Sequence, residues 1–209
     1  MKMFDTVNIA CDQGALDVGM AVRAALELFR LRAHLHFCVQ KRNVLDFLAG
    51  HIPESEYVVL CCHGLGSAND EKEIPREMKM GFNVVHQIGR EWQKFEFALT
   101  PLNIPKLIKL PGRKVIALGC GCGREPLARA FLRSGCKAYI GATRPVDQDS
   151  TALFAIAFFY HLLRPECDPA IRCSDKEAFE RAAAVDALSR EGTHVFRYYD
   201  RLPKERSPS

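Results

Sequence analysis

The sequence predicts an α/β fold in which a mostly parallel sheet is flanked by helices, with a hairpin inserted into the pattern. Short apolar runs of strand length alternate along the chain with longer segments of helical periodicity. Most of these runs are apolar at nearly every position, which is typical of strands that are buried on both faces of a parallel sheet. The alternation of such strands with helices predicts that helices cover both faces of the sheet.

The first half of the chain contains three predicted strands and two predicted helices. Residues 7–11 form an apolar run, and residues 16–31 are rich in Ala, Leu and Arg with apolar side chains at helical spacing. Residues 34–39 alternate in polarity as a strand does, and residues 44–48 have a short helical pattern. Residues 57–62 form the next buried strand, and two glycines follow closely after its C-terminal end.

The second half continues the same alternation. Residues 114–118 and 137–141 are predicted to be buried strands, and residues 124–133 a helix that ends before a glycine. Residues 149–163 are apolar on nearly all sides, so this helix is expected to be well buried. A further helix is predicted at residues 176–190, again followed by a glycine.

Between the buried strands at residues 57–62 and 114–118 the pattern changes. Residues 67–78 are charged and predict a loop, whereas residues 80–88 and 92–99 alternate in polarity about a Gly-Arg pair and predict a hairpin. Residues 102–110 indicate a short helix or turn, and a last strand is expected within residues 193–199.

Length and charge favour a single domain that does not bind nucleic acid. The chain has 209 residues, so we expect one domain over residues 1–200 and a polar C-terminal tail over residues 201–209. The formal net charge is +4, and the Lys and Arg residues are scattered along the sequence, which argues against a nucleic-acid surface.

Cysteine usage and hydropathy bear on the compartment. The chain has nine cysteines, and pairs such as Cys61–Cys62 and Cys120–Cys122 are too close in sequence for a ladder of disulfides. We therefore expect free thiols in a reducing, cytoplasmic compartment. The N-terminal residues contain no hydrophobic leader, and the longest apolar run, residues 152–160, is too short to span a bilayer. Neither a secretory signal nor a membrane partner is expected.

Two turns carry reactive side chains directly after buried strands. His63 and Gly64 follow the strand at residues 57–62, and Cys120 follows the strand at residues 114–118. Parallel neighbouring strands would bring both turns to one edge of the sheet. A thiol beside an imidazole is the minimal set for acyl transfer, with His63 as general base and Cys120 as nucleophile. The backbone N–H groups of Gly64 and Cys120 could then form an oxyanion hole.

These motifs resemble those of caspase-like cysteine peptidases. The chain is most similar to the CHAT (caspase HetF-associated with TPR) domains, with separase as a relative. The resemblance covers roughly residues 55–190 and includes an apolar strand before His63-Gly64, an apolar strand and a glycine before Cys120, and the long helix with Phe159 and Tyr160. It implies a three-layer caspase–haemoglobinase-like fold and a cysteine endopeptidase that acts in regulated proteolysis, defence or cell death without a cofactor. It also implies a protein substrate and a separate regulatory or sensor partner.

The sequence contains fewer signals for the pocket that would bind a substrate side chain than for the catalytic pair. Separase-like members line this pocket with acidic residues, and Asp12, Asp147 and Asp149 follow predicted strands at the edge that would hold His63 and Cys120. A carboxylate there would pair with the side chain of a substrate Arg or Lys. Arg144, which stands where the family has Trp, keeps an acidic substrate residue open as the alternative. Asp12 and Asp147 could also simply cap the helices that follow them.

Other interpretations remain open at this point. Cys61, Cys62, His63, Cys120 and Cys122 could bind zinc, although the paired Cys-x-x-Cys spacing is absent. The Gly-rich turn at residues 119–123 is also similar to the first motif of S-adenosylmethionine-dependent methyltransferases, but no acidic residue follows the next strand. A catalytically inactive caspase-fold binding protein is the third alternative. We expect no bound metal.

Overall fold

The computed structural model describes residues 5–65, 79–88, 91–163, 173–187 and 195–200. The strands within these ranges are β1 (Thr6–Cys11), β2 (Arg32–Phe37), β3 (Tyr57–Cys61), β4 (His63–Leu65), β5 (Lys79–Ile88), β6 (Glu91–Leu99), β7 (Lys114–Ala117), β8 (Ala138–Ala142) and β9 (Phe196–Tyr199). The α-helices are α1 (Leu16–Leu28), α2 (Lys41–Leu48), α3 (Ile104–Leu107), α4 (Glu125–Arg133), α5 (Gln148–Leu163) and α6 (Asp175–Ala187).

The central sheet has six strands in the order β2-β1-β3-β7-β8-β9. The first five strands are parallel, and β9 pairs antiparallel with β8. From β1 the chain moves outward to β2 and then crosses back to β3 on the other side of β1. The strand order therefore reverses between β1 and β3, which is where ligand sites of open α/β sheets form, beyond the carboxyl ends of the strands.

Helices cover both faces of this sheet, so the fold has three layers. On one face α1, α5 and α6 pack on side chains such as Ile9, Val59 and Ile116. On the other face α2, α3, α4 and β5 pack on side chains such as Val58 and Leu60. The alternation of Val58, Val59 and Leu60 between the two clusters follows from the period of two in a strand, and it explains why the predicted strands are apolar throughout. The predicted three-layer fold is confirmed.

A second, antiparallel sheet of three strands lies on the inserted segment, in the order β4-β5-β6. The predicted hairpin is confirmed as β5 and β6. Strand β4, which was not expected from the sequence, pairs with β5 so that His63 lies opposite Gly81. This pairing fixes the backbone of His63 against the hairpin, and Val85 of β5 also donates to the carbonyl of Val39 at 2.7 Å.

Most element boundaries lie within three residues of their predictions. Strand β2 begins two residues earlier than expected, at Arg32, because it continues the parallel ladder with β1 from Thr6. A turn of 3-10 helix at Gln13–Ala15 was not predicted. The predicted loop at residues 67–78, the hairpin turn at residues 89–90 and the tail at residues 201–209 lie outside the described residues.

Among the helices that are described, none combines the length and apolar character needed to cross a membrane.

Candidate active site

Every predicted site residue lies at the carboxyl edge of the parallel sheet. Asp12 follows β1, His63 begins just after β3, and Cys120 follows β7. Asp147 and Asp149 lie after β8, at the beginning of α5. The parallel arrangement of β1, β3, β7 and β8 therefore gathers residues that are far apart in sequence at one end of the molecule.

The turn that carries His63 is in direct backbone contact with the turn that carries Cys120. A β-carbon on Gly64 would lie 1.4 Å from the carbonyl oxygen of Cys120 and 3.0 Å from its backbone nitrogen. A β-carbon on Gly119 would likewise lie 3.0 Å from the nitrogen of Gly64. Glycine is therefore required at both positions, because any side chain would separate the two turns.

Cys120 is partly exposed, and its sulfur faces the loop between β8 and α5. The backbone N–H of Val146 donates to the Sγ of Cys120 at 3.4 Å, and the thiol approaches the carbonyl oxygen of Val146 at 3.5 Å. Among the described cysteines, only Cys120 and Cys173 have partly exposed side chains. The nucleophile candidate is thus held beside the segment that continues into Asp147.

The neighbouring thiols are in a different environment. Cys122, the competing nucleophile in the sequence, is fully buried. Its thiol is hydrogen-bonded to that of Cys62, and this bond together with burial raises the pKa of Cys62 well above its ordinary value. Burial also raises the pKa of Cys11 to about 11 and the pKa of Cys38 to about 12. The thiols of Cys11, Cys38 and Cys62 therefore remain protonated and unreactive near neutral pH.

The ring of His63 is enclosed on one edge. The side chain is 39% exposed, yet its Nε2 atom is buried and has no hydrogen-bond partner. A β-carbon on Gly14 would lie 2.6 Å from this Nε2, so Gly14 covers it. The Oδ1 atom of Asp12 lies 3.5 Å from this Nε2. The exposed part of the imidazole is therefore the part away from Asp12 and Gly14.

Asp12 is completely buried, and backbone N–H groups occupy both of its oxygens. Oδ1 accepts from Gly14 at 2.9 Å and from Ala15 at 3.0 Å, as the N-cap of the 3-10 turn. Oδ2 accepts from Asn83 of β5 at 2.6 Å. The capping interpretation of Asp12 is confirmed. Its expected contact with substrate is not supported by this position, because a substrate side chain would first have to displace the residues that cover it.

Asp147 and Asp149 are both exposed, unlike Asp12. The carbonyl oxygen of Asp147 accepts the N–H of Thr151 in α5, and Asp149 lies in the first turn of that helix. The side chain of Gln148 donates to the carbonyl oxygen of Gly14 at 3.0 Å, which ties the start of α5 to the turn beside His63. These carboxylates are accessible to a ligand at the carboxyl edge.

The Gly-rich turn at residues 119–123 is packed against protein. A β-carbon on Gly123 would lie 1.9 Å from the carbonyl oxygen of Gly141, and one on Gly119 would lie 2.8 Å from that of Cys62. The two glycines allow neighbouring backbone segments to approach closely. In the methyltransferase interpretation a cofactor would need the space at Gly119 and Gly123, but protein atoms fill that space. No cluster of three or more His, Cys, Asp or Glu side chains suited to a metal ion occurs in the part of the chain that the structure describes.

Comparison with known proteins identifies the fold. No profile of a protein family matches the sequence, and no curated protein matches it. The structure of the separase–securin complex of Saccharomyces cerevisiae is similar to this chain with a TM-score of 0.55 and 12% identity, over 94% of this chain and 12% of that chain. The complex of the pro- and mature domains of RgpB from Porphyromonas gingivalis is similar with a TM-score of 0.57 and 11% identity, over 92% of this chain and 47% of that chain.

Both neighbours are caspase-like proteins, and gingipain RgpB is a caspase-like cysteine peptidase. The chain therefore has a caspase-like fold. It spans less than half the length of either neighbouring chain.

Proposed function

We propose that this chain is a cysteine endopeptidase in which His63 and Cys120 form the catalytic pair. The observation that carries the proposal is the contact between Gly64 and Cys120, which joins the turns that bear the two side chains. The partial exposure of Cys120 and the complete burial of Cys122 support the choice of nucleophile. The caspase-like fold supports peptide hydrolysis as the reaction, because its neighbours include a cysteine peptidase.

In the proposed reaction His63 takes the proton of the Cys120 thiol, and the thiolate attacks the carbonyl carbon of the scissile peptide. The N–H groups of Gly64 and Cys120 stabilise the negative charge that develops on the carbonyl oxygen. The C–N bond then breaks, and the imidazolium of His63 protonates the departing amine. Water, with His63 again as base, hydrolyses the thioester, releasing the carboxylic acid and restoring the thiol.

The substrate in this proposal is a protein with a basic residue before the cleaved bond. Asp147 and Asp149 supply exposed negative charge next to Val146, whose backbone contacts the sulfur of Cys120. A guanidinium group would form charge-assisted hydrogen bonds there. We expect a separate protein partner to regulate the enzyme in the reducing cytoplasm, in the CHAT-like manner that the sequence resemblance implies.

The test is covalent labelling with a peptidyl acyloxymethyl ketone that carries Arg at the reactive position, followed by mapping of the adduct by mass spectrometry. We expect a single adduct on Cys120, and we expect it to be lost in Cys120→Ala and slowed at least about a hundredfold in His63→Ala.

Cys173→Ala is the matched control, because Cys173 is the other partly exposed thiol among the described residues. This variant should be labelled like the wild type. Labelling that persists in Cys120→Ala, or that is independent of His63, would contradict the assignment and favour a caspase-fold binding protein.

A further inference from the structure

We propose that Tyr139 and Tyr199 are positioning residues for the oxyanion hole. Their hydroxyl groups hold the turn at residues 119–123 in the conformation that leaves the backbone N–H of Cys120 available to the substrate carbonyl. This inference deepens the proposed function and rests on it. Neither tyrosine contacts the substrate in this arrangement, because each acts through the backbone of the turn.

The first argument is that two tyrosine hydroxyls bind the backbone just after the nucleophile. The hydroxyl of Tyr139 in β8 donates to the carbonyl oxygen of Cys122 at 2.8 Å, and that of Tyr199 in β9 donates to the carbonyl oxygen of Gly123 at 2.8 Å. Tyr139 and Cys122 are fully buried, so bulk water cannot replace the hydroxyl. A buried carbonyl oxygen without a donor is costly, and the contact therefore fixes its direction.

The second argument is that each of these carbonyl groups belongs to a peptide unit whose N–H is also bound. The N–H of Gly123 donates to the carbonyl oxygen of Ala142 in β8 at 2.6 Å, and the N–H of Arg124 donates to that of Gly121 at 3.2 Å. The unit between Cys122 and Gly123 is therefore held by β8 at both ends. A planar peptide unit that is bound at both ends cannot flip without breaking two hydrogen bonds.

The turn depends on these bonds because its own sequence restricts it little. Residues 119–123 contain three glycines, and Gly121 has a φ of +65°, in the left-handed region that glycine adopts readily. Steric hindrance therefore does not select a single conformation for this segment. The hydroxyls of Tyr139 and Tyr199 supply a restriction that the glycines lack.

The third argument concerns the N–H groups of the turn. Those of Gly121 and Cys122 donate to the carbonyl oxygens of Arg144 and Gly119, both at 3.3 Å. In the part of the chain that the structure describes, the N–H of Cys120 makes no hydrogen bond with another backbone group. A fixed donor of this kind beside the nucleophile is what an oxyanion hole requires. The bonds around the turn therefore leave this one N–H for the substrate.

The two hydroxyls affect only one part of the proposed reaction. Burial raises the pKa of Tyr139 well above its ordinary value and also raises the pKa of Tyr199, so both groups keep their protons and act as donors at neutral pH. His63 forms the thiolate without them. Loss of the hydroxyls should therefore impair reactions that place negative charge on a carbonyl oxygen, and it should spare reactions that do not.

The test compares two reactions of Cys120 that differ in this respect. A peptide aldehyde that ends in Arg adds to the thiolate and places negative charge on its carbonyl oxygen, whereas iodoacetamide alkylates the sulfur and forms no oxyanion. In the double variant Tyr139→Phe and Tyr199→Phe, we expect the affinity for the aldehyde to fall at least about tenfold. The rate of alkylation should change by less than about twofold, because the thiolate is formed as in the wild type.

Tyr198→Phe is the matched control. Tyr198 is adjacent to Tyr199 in β9 but lies on the other face of the sheet, where its ring centroid is 5.7 Å from that of Phe179. This variant also removes one tyrosine hydroxyl from β9. It should keep the wild-type affinity for the aldehyde and the wild-type rate of alkylation.

A second measurement protects the test against a double variant that does not fold, and it needs no peptide. The single variant Tyr199→Phe keeps the buried hydroxyl of Tyr139 but frees the carbonyl end of the unit between Gly123 and Arg124. Amide hydrogen exchange of Arg124 should become at least about tenfold faster in this variant. Exchange of Ile116 in β7 should stay within about twofold of the wild type, because the strand is unchanged.

Three results would overturn the inference. These are an unchanged affinity for the aldehyde in a folded double variant, an equal fall in affinity and in alkylation rate, and unchanged exchange of Arg124 in Tyr199→Phe. A wild-type protein that binds no peptide aldehyde would instead reject the proposed function. The exchange measurement would then still decide whether the hydroxyl of Tyr199 holds the turn.

Discussion

Gly64 and Cys120 are in direct backbone contact, and no side chain fits between them. The carbonyl oxygen of Cys120 occupies the space in which a β-carbon of residue 64 would lie, 1.4 Å from that position. The spacing between the candidate base and the candidate nucleophile is therefore set by two polypeptide backbones and not by flexible side chains. Such a contact holds a site more precisely than a loop that is free to move.

Gly64→Ala should disrupt this contact. The methyl group would meet the backbone of Cys120, which cannot move without shifting β7, so we expect the free energy of unfolding to fall by about 3 kcal/mol or more. Urea denaturation measures this change. Gly112→Ala is the control: Gly112 has a φ of +72°, but no atom lies within 4 Å of the place its methyl group would take, so only backbone strain of about 1 kcal/mol is expected. Equal losses in the two variants would contradict the close contact.

Native alkylation should distinguish Cys120 from the buried thiols. At neutral pH iodoacetamide should modify Cys120 at least about tenfold faster than Cys38 or Cys136, because burial raises the pKa of both of these thiols to about 12. Mass spectrometry after timed quenching gives the rates. The His63→Ala substitution should slow modification of Cys120 and leave that of Cys173 unchanged, and a parallel loss at both cysteines would show that the imidazole has no specific effect.

The sequence was sufficient to predict the parallel core and to place His63 and Cys120 at one edge of the sheet, because buried strands are apolar on both faces and these two residues directly follow them. It could not reveal β4, since three residues that begin with His-Gly carry no strand pattern and pair only because β5 lies alongside them.

The role of Asp12 shows a second limit of the sequence. An acid after a strand predicts a cap and also suggests a pocket wall. The burial of the side chain and its hydrogen bond with the N–H of Asn83 depend on the fold, and the sequence pattern does not indicate them. Gly14 and Val146 were missed for the same reason, since their contacts with His63 and Cys120 join segments that are distant in sequence.

Lys114 anchors α6 to the opposite, amino edge of the sheet. Its buried ammonium group lies 2.7 Å from Glu56 and 3.1 Å from the hydroxyl of Tyr57, and it also forms an ion pair with Asp175 at the start of α6. Lys114→Met should leave Asp175 and Glu56 without a counter-charge, which lowers the free energy of unfolding by on the order of 3 kcal/mol. Chemical denaturation measures the loss.

The exposed pair of Arg23 and Glu27 in α1 provides the control for this prediction. The Nε atom of Arg23 lies 2.8 Å from Oε1 of Glu27, a distance similar to that between Lys114 and Glu56, but both side chains of the pair are more than 40% exposed. Arg23→Met should therefore cost less than about 0.5 kcal/mol. A loss in Lys114→Met as small as that in Arg23→Met would show that the buried network contributes little.

Alkaline pH should destabilise the fold through its buried thiols. The pKa is raised from 9.0 to about 11 for Cys11 and to about 12 for Cys38 and Cys136, so folding favours the protonated form. This stabilisation is fully present below the unfolded pKa and is lost as the pH rises through the folded pKa. Between pH 9 and 10 each thiol should lower the free energy of unfolding by up to about 1.4 kcal/mol. In Cys38→Ala the free energy of unfolding should fall less steeply as the pH rises. Cys173→Ala, which changes a partly exposed position, should leave this pH dependence as it is in the wild type.

The exposed carboxylates beside the nucleophile should determine the preference for a basic substrate residue. In the double variant Asp147→Asn and Asp149→Asn, labelling of Cys120 by an Arg-containing acyloxymethyl ketone should slow about tenfold, because the guanidinium loses its charged partners. A Leu-containing probe should react at the wild-type rate, since its side chain makes no such pairs. Asp46→Asn, which removes an exposed charge on α2, should slow neither probe. An equal slowing of both probes in the double variant would indicate that these residues support the start of α5, and that the substrate side chain is recognised elsewhere.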